Sequence, residues 1–252
     1  MGGAYTNSFE EYDPAADVWL TRATIPNPTA FHSLVPFNGK IYLLGGSVSH
    51  YSSVRSYVYE YDSVLDSWTR LADMPLAVSA SSTFVQNDQI HLVGGVYYSS
   101  GWVPRNSHQV FDPTGNSWSY GTALPVARGF AAGGISDKYF ILYGGRDDTT
   151  FRSEVYGYKL NDGSWQEFAR GPIDVAYHAA AVVEDTVHFL TGSSNSSYYT
   201  TYHNVYDFND DFGGRRWTAR AELPNPRDNR YHTVTSVNNR IYLFGKTNTN
   251  SR

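Results

Sequence analysis

The apolar positions of this chain fall in short runs bounded by glycine, proline, asparagine or serine, with the spacing of strands. Phe31-His32-Ser33-Leu34-Val35 is followed by Asn38-Gly39 and then by Lys40-Ile41-Tyr42-Leu43-Leu44-Gly45-Gly46. Asn-Gly between two apolar runs is a strong hairpin signal, because the tight turn needs positive φ. The same order returns from Tyr231 to Gly245, with Asn238-Asn239 as the turn and Ile241-Tyr242-Leu243-Phe244 as the second strand. After each glycine pair a variable polar loop leads to a third strand such as Val58-Tyr59-Glu60-Tyr61-Asp62, then to a turn and a short fourth strand at a tryptophan. No window carries the 3.6-residue period of a helix. Each unit therefore predicts one four-stranded antiparallel sheet.

The units recur at fixed intervals, and a fixed period must be settled before any fold is assigned. Trp19, Trp68, Trp118, Trp165 and Trp217 stand about 50 residues apart, and each is followed seven positions later by proline: Pro26, Pro75, Pro125, Pro172 and Pro224. Nineteen residues past the first four prolines come Gly45, Gly94, Gly144 and, as a departure, Thr191. In the fifth unit the interval is 21, ending at Gly245, which places a two-residue insertion near Asp228-Asn229. Seven residues ahead of four of the tryptophans lies an aromatic: Tyr12, Tyr61, Phe111 and Tyr158.

The double glycines Gly45-Gly46, Gly94-Gly95 and Gly144-Gly145, the aromatic-to-tryptophan spacing and Trp-x6-Pro make the chain resemble the kelch family over essentially its whole length. The resemblance implies an all-β propeller, since kelch repeats of roughly 50 residues form its blades. Thr191-Gly192, Gly245-Lys246 and the lengthened spacer from Tyr206 to Trp217 depart from the pattern and predict irregular turns rather than lost blades. The first hairpin occurs five times, at about residues 30–46, 79–95, 129–145, 176–192 and 230–246, and the tryptophan-bearing half also occurs five times, from about residue 4. The chain thus begins with a second half and ends with a first half. The expectation is one domain over residues 1–252, a five-bladed ring closed by pairing the N-terminal strands of 4–19 with the C-terminal hairpin of 231–244. Closure would cover exposed strand edges, and five lies within the known range of blade numbers. A fragment of a six- or seven-bladed parent is the competing reading. The innermost strands are small, as in Ala131-Ala132-Gly133-Gly134 and Ala179-Ala180-Ala181, which fits the crowding near the axis.

Composition narrows the function. Aromatics are 16 % of the chain with 21 tyrosines, a bias that sheets favour. A net charge of −5 argues against a nucleic-acid or anionic-membrane partner, which would need a basic face. No apolar run approaches the length of a membrane-spanning helix. The N-terminus lacks the apolar stretch of a secretory signal, so the chain reads as either intracellular, with the cytoplasm favoured, or already processed, and Gly2 with Thr6 fits the myristoylation pattern. With no cysteine there is no disulfide, thiolate metal site or cysteine nucleophile.

Candidate site residues fall in three sets. The loops after the glycine pairs hold Tyr51, Tyr97, Tyr98, Trp102, Tyr198, Tyr199 and Tyr202 among serines and asparagines. Tyrosine with Ser, Gly and Asn is the composition of antibody paratopes, where rigid rings give contact area at low entropic cost. The resemblance implies that these loops surround the channel mouth and bind partners. Five positions after each proline, allowing for the insertion, come Phe31, Ala80, Phe130, Tyr177 and Tyr231, with Arg128, Arg146, Arg227 and Arg230 as nearby charges. Rings in this place suit a peptide or a small apolar ligand, or simply pack between blades. The next position gives His32, His178 and His232. Three histidines could ligate a metal, but no acidic second shell accompanies them, and a histidine bonded within its blade explains them as well. No metal and no cofactor is expected.

No nucleophile elbow, phosphate loop or zinc-helix signature is present. The Glu-x3-Asp-x3-His run of kelch-fold specifier proteins is missing, and the Cys–Tyr cross-link of kelch-type copper oxidases needs a cysteine. The sequence therefore favours a monomeric, non-enzymatic module that binds a protein or peptide through a tyrosine-rich loop face. The alternative is a small-molecule protein, or a cofactor-independent isomerase or cyclase with an aromatic-lined central pocket. Convergence of His32, Tyr177, His178 and Tyr231 on one void would favour the alternative.

Overall fold

A computed structural model describes residues 6–49, 52–148, 150–197, 200–209, 216–225 and 227–247. The chain opens with a two-stranded ladder, β1 (Glu10–Asp13) and β2 (Val18–Thr21). Next come β3 (Ser33–Phe37), β4 (Lys40–Leu44), β5 (Ser47–Ser49), β6 (Ser52–Val54), β7 (Val58–Asp62) and β8 (Ser67–Arg70). The second unit is β9 (Ser82–Gln86), β10 (Gln89–Val93), β11 (Val96–Tyr98), β12 (Trp102–Pro104), β13 (His108–Asp112) and β14 (Ser117–Tyr120). The third is β15 (Ala132–Ile135), β16 (Tyr139–Tyr143), β17 (Val155–Lys159) and β18 (Trp165–Phe168). The fourth is β19 (Val175–Ala176), β20 (Ala179–Val183), β21 (Thr186–Leu190), β22 (Ser193–Ser194), β23 (His203–Asp207) and β24 (Trp217–Ala219). A last hairpin, β25 (Arg227–Val237) and β26 (Arg240–Thr247), ends the described chain. No helix occurs among the described residues.

Four of these units are four-stranded antiparallel blades: β3-β4-β7-β8, β9-β10-β13-β14, β15-β16-β17-β18 and β20-β21-β23-β24. Inside each, the register follows the repeat: Ile41 stands opposite Tyr61, Ile90 opposite Phe111, Phe140 opposite Tyr158 and Val187 opposite Tyr206. The aspartate after the strand aromatic caps the following turn, as Asp62 does by accepting the Val64 and Leu65 N–H groups at 2.8 and 3.1 Å.

The core lies between blades. Tyr42, Leu44 and Val58 pack with Ile90, Leu92 and Phe111, and Phe84 and Val93 pack with Phe140, Leu142 and Tyr158. Ile141, Tyr143 and Val155 pack in turn with Val187, Phe189 and Tyr206. Each such side chain contributes about 1.5–3 kcal/mol by leaving water. Tryptophans lock the seams: the indole N–H of Trp68, Trp118 and Trp165 donates to the carbonyl of Ala23, Ala72 and Thr122 of the preceding unit, at 2.9, 3.0 and 2.8 Å. The small-residue strands β9, β15 and β20 line a channel cavity of about 180 Å³.

The expected fifth blade does not form. Among the described residues, β1-β2 and β25-β26 remain separate two-stranded ladders with no pairing between them. The reason lies in which blade each half belongs to. Tyr143 of the third blade packs its ring 4.7 Å from Trp217 of the fourth. Phe244, the residue at the same repeat position, stands 5.9 Å from Trp19. The C-terminal hairpin therefore meets the N-terminal ladder as one blade meets the next, not as the inner half of one sheet meets its outer half. On its other side Phe9 packs 4.8 and 5.1 Å from Tyr61 and Trp68 of the first blade. The architecture is four blades flanked by two half-blades. The two-residue insertion appears as an irregularity in the β25–β26 ladder between Arg227 and His232. The lengthened spacer after Tyr206 runs through residues 210–215, outside the described residues.

Candidate functional site

The residues that follow each proline by five positions form one structure. Phe31, Ala80, Phe130 and Tyr177 all take left-handed backbone, with φ of 55°, 51°, 58° and 60°. Their peptide groups link from blade to blade: Ala80 N–H donates to Phe31 O at 2.7 Å, Phe130 N–H to Ala80 O at 3.0 Å and Tyr177 N–H to Phe130 O at 2.9 Å. The rings fold over this arc. Phe31 and Phe130 are 3 % and 1 % exposed, their centroids 5.7 Å apart, and Phe130 lies 4.3 Å from Tyr177. With Ala30, Ala80, Val96 and Ala176 they form a buried plug between blades rather than the lining of an open pocket.

Above the plug sits a second tier of short hairpins, joined to the blades by bridges such as Ala30–Ser47, Ser79–Val96 and Gly129–Arg146. Trp102 on β12 lies 6.3 and 6.0 Å from Phe31 and Phe130, and Tyr98 on β11 lies 5.4 Å from Trp102. Phe151 stands 6.1 Å from Tyr177 on the other flank. The result is a shelf of half-buried rings, Tyr98, Trp102, Tyr177 and Phe151, resting on buried ones. Tyr97 is also half-buried, beneath the Arg105 guanidinium at 4.1 Å.

Arg146 borders this shelf. It donates to the Tyr177 hydroxyl at 3.3 Å and to the backbone carbonyls of Asp147 and Asp148 at 3.2 and 3.0 Å. All three partners are neutral, so among the described residues its charge faces no carboxylate. Arg152, by contrast, is paired with Asp147. Sequence spacing missed a further regularity. Arg55, Arg105 and Arg152 occupy one position in successive blades, each donating its backbone N–H to the carbonyl of the second glycine, at 2.8, 2.8 and 2.9 Å. The loops between glycine and arginine differ in length, which hides the match from any fixed interval; the shared signal is an arginine closing each loop. A polar recess of about 630 Å³ continues the face at the fourth blade, between Asp174, Asn195, Thr200, Tyr202 and Glu222.

The histidines do not converge. His178 and His232 border the channel cavity, whereas His32 lines a different cavity beside β1, and Tyr177 lines neither. Burial pushes the imidazoles of His32 and His178 down to about 3, which keeps them neutral. His178 is enclosed by Tyr143 and Phe189 at 5.2 and 5.7 Å, and His232 Nε2 lies 2.5 Å from the Thr191 hydroxyl. No group of three or more metal-ligating side chains occurs among the described residues. Tyr231 has its backbone in β25, but its side chain, like Tyr51, Tyr198 and Tyr199, falls outside the described residues, as do the side chains of Arg227 and Arg230.

Comparison with known proteins places the fold. The family model for the KLHDC2/KLHL20/DRC7 Kelch-repeats domain matches residues 31–246. A solved structure titled "Structure of YjhT" is similar at a TM-score of 0.85 and 19 % identity, over 98 % of this chain and 86 % of that one. No curated protein matches the sequence.

Proposed function

Since the chain belongs to the kelch-repeat family, on a match spanning residues 31–246, we propose that it is a binding module that holds a protein or peptide on its loop face. One observation supports this reading: Phe31 and Phe130 are buried against each other, while the rings of Tyr98, Trp102, Tyr177 and Phe151 packed around them are only half-buried and would be the surface that a partner meets. Aromatic side chains fixed on a rigid scaffold are common anchors of interfaces. Arg146 adds a guanidinium whose present partners are neutral, so a carboxylate of the partner within its reach would gain a charge-assisted bond. The module works as a single chain and needs no cofactor for this. A small apolar ligand in the channel is the weaker reading, because the channel cavity of about 180 Å³, which none of Phe31, Phe130 and Tyr177 lines, is below the usual size of ligand pockets.

A displayed-peptide selection on the full chain supplies ligands for the test. Trp102→Ala and Arg146→Ala should each weaken the selected peptides about tenfold or more, the loss expected of an anchor residue. Tyr177→Ala should act in the same direction. Unchanged Kd values in all three variants, with the fold intact, would remove the loop face as the site.

A further inference from the structure

The hairpin β11–β12 carries the indole of the aromatic shelf, and that indole differs from those at the blade seams. Trp68, Trp118 and Trp165 each commit their N–H to a backbone carbonyl. The Trp102 N–H has no acceptor among the described residues and stays open to solvent. The hairpin holds it there. Trp102 stands directly opposite Tyr98, the turn between them closes with Ser99 N–H on Gly101 O at 2.9 Å, and Arg105 N–H ties the second strand to Gly95 O at 2.8 Å. The Tyr98 and Trp102 rings meet edge to face at 82°, and Trp102 stands at 78° and 88° to Phe31 and Phe130.

The other polar groups of the shelf also donate. Arg146 donates to the Tyr177 hydroxyl oxygen, so that hydroxyl keeps its own proton for an outside acceptor. Indole and guanidinium nitrogens can only donate. A β-strand brings an N–H at nearly every residue, and these would meet groups that cannot accept them. A helix has its carbonyls bonded internally. A proline-rich segment in the polyproline II form lacks N–H at its prolines and leaves its carbonyls free. Spacing agrees with this form. Trp102 and Tyr177 both pack on Phe130, at 6.0 and 4.3 Å, which puts their rings within about 10 Å of each other, in reach of one polyproline turn of about 9 Å.

We propose that the loop face recognises a polyproline II segment, with two prolines three residues apart and an acidic residue beside one of them. One proline lies against Tyr98 and Trp102 and the other against Tyr177. The peptide carbonyls accept from Trp102 N–H and Tyr177 O–H, and the carboxylate meets Arg146, whose present partners are neutral. Such a segment is stiff before it binds, so little freedom is lost when it docks on a fixed hairpin. Aromatic-lined grooves are a general means of holding it. This inference rests on the loop-face reading and adds the class of partner.

The probe is a synthetic hexaproline peptide with one aspartate, made with the aspartate at either end and titrated into the full chain labelled with nitrogen-15. Trp102→Phe identifies the Trp102 indole signal. Saturable binding of one of the two peptides is expected, moving that signal downfield and leaving the five other indole signals in place. Trp102→Phe keeps a ring but removes the donor, and should weaken binding about five- to tenfold. Asparagine for aspartate in the peptide should cost a similar factor, and nothing further in the Arg146→Gln variant. The proposal is overturned if neither peptide binds, if binding leaves the Trp102 signal unmoved, or if an alanine peptide of equal length and charge binds as well. Peptides selected on the loop face that need Trp102 and Arg146 but lack the proline pair would remove this partner and leave the loop-face reading standing. Loss of all binding at that face would remove both.

Discussion

Gly94 and Gly39 both adopt positive φ, +67° and +71°, but only the first is crowded. A Cβ on Gly94 would stand 2.5 Å from the Arg128 carbonyl oxygen, whereas one on Gly39 would meet nothing within 4 Å. That carbonyl is held in place, since it accepts the Gly95 N–H at 2.8 Å across the blade boundary. Gly94→Ala therefore adds a backbone clash to left-handed strain and should cost about 3 kcal/mol or more. Gly39→Ala carries the strain alone, about 1 kcal/mol. Urea unfolding of both variants checks the difference, and equal losses would mean that crowding is not what demands the glycine. Thr191 shows what the departure from glycine requires: its φ is 61°, and its hydroxyl is occupied by His232 at 2.5 Å.

At the scale of the strand and the blade, the tryptophans separate closed seams from the open one. Trp118 is half-buried and donates to Ala72 O at 3.0 Å; Trp19 is 58 % exposed with its ring against Tyr12 and Phe244. Trp118→Phe should lose about 1–2 kcal/mol from the stranded carbonyl and the smaller ring, and Trp19→Phe less than about 0.5 kcal/mol. Chemical denaturation with matched m-values reads this directly, and a Trp19 loss as large as that at Trp118 would show that the open seam bears the same load. The same comparison explains what could be read from the sequence. Tryptophan, proline and glycine spacing recovered all four blades and the hairpin of Asn38-Gly39, because each anchor meets a local backbone demand repeated in every unit. The fate of Ala4–Trp19 was not legible: a third-and-fourth-strand signature says which strands follow, not whether its ladder shares a sheet with β26 or stands beside it. Phe31 and Phe130 were found by position, yet their role as a plug depends on rings arriving from neighbouring blades. Arg55, Arg105 and Arg152 escaped because loop length varies between anchors.

For the molecule as a whole, buried histidines set the response to acid. His91 and His108 sit diagonally on β10 and β13 with Nδ1 and Nε2 2.8 Å apart, and His188 and His203 repeat the arrangement on β21 and β23 at 2.8 Å. Burial pushes His91 and His188 down to about 4 and His32 and His178 to about 3, and it lowers His108 and His203 as well. Each of these side chains is thus neutral in the folded protein down to a lower pH than in the unfolded chain, where histidine titrates near 6.5. Below that value the unfolded chain binds more protons than the folded one, so stability falls as pH drops and is unchanged by raising pH above it. A fully enclosed imidazole such as His178 approaches about 1.4 kcal/mol per pH unit within this window; the partly exposed His188 and His203 contribute less, since water screens them. Stability at pH 5 should be about 2–4 kcal/mol below that at pH 7. The third blade carries Ile141 and Val155 where the second carries His91 and His108, so His91→Ile with His108→Val substitutes an apolar pair already accommodated by this fold. That double variant should recover about 1 kcal/mol of the acid loss, measured as the difference in unfolding free energy between pH 7 and pH 5. An unaltered difference would place the acid sensitivity outside the histidine pairs, and a loss of stability equal at both pH values would mark the pair as packing alone.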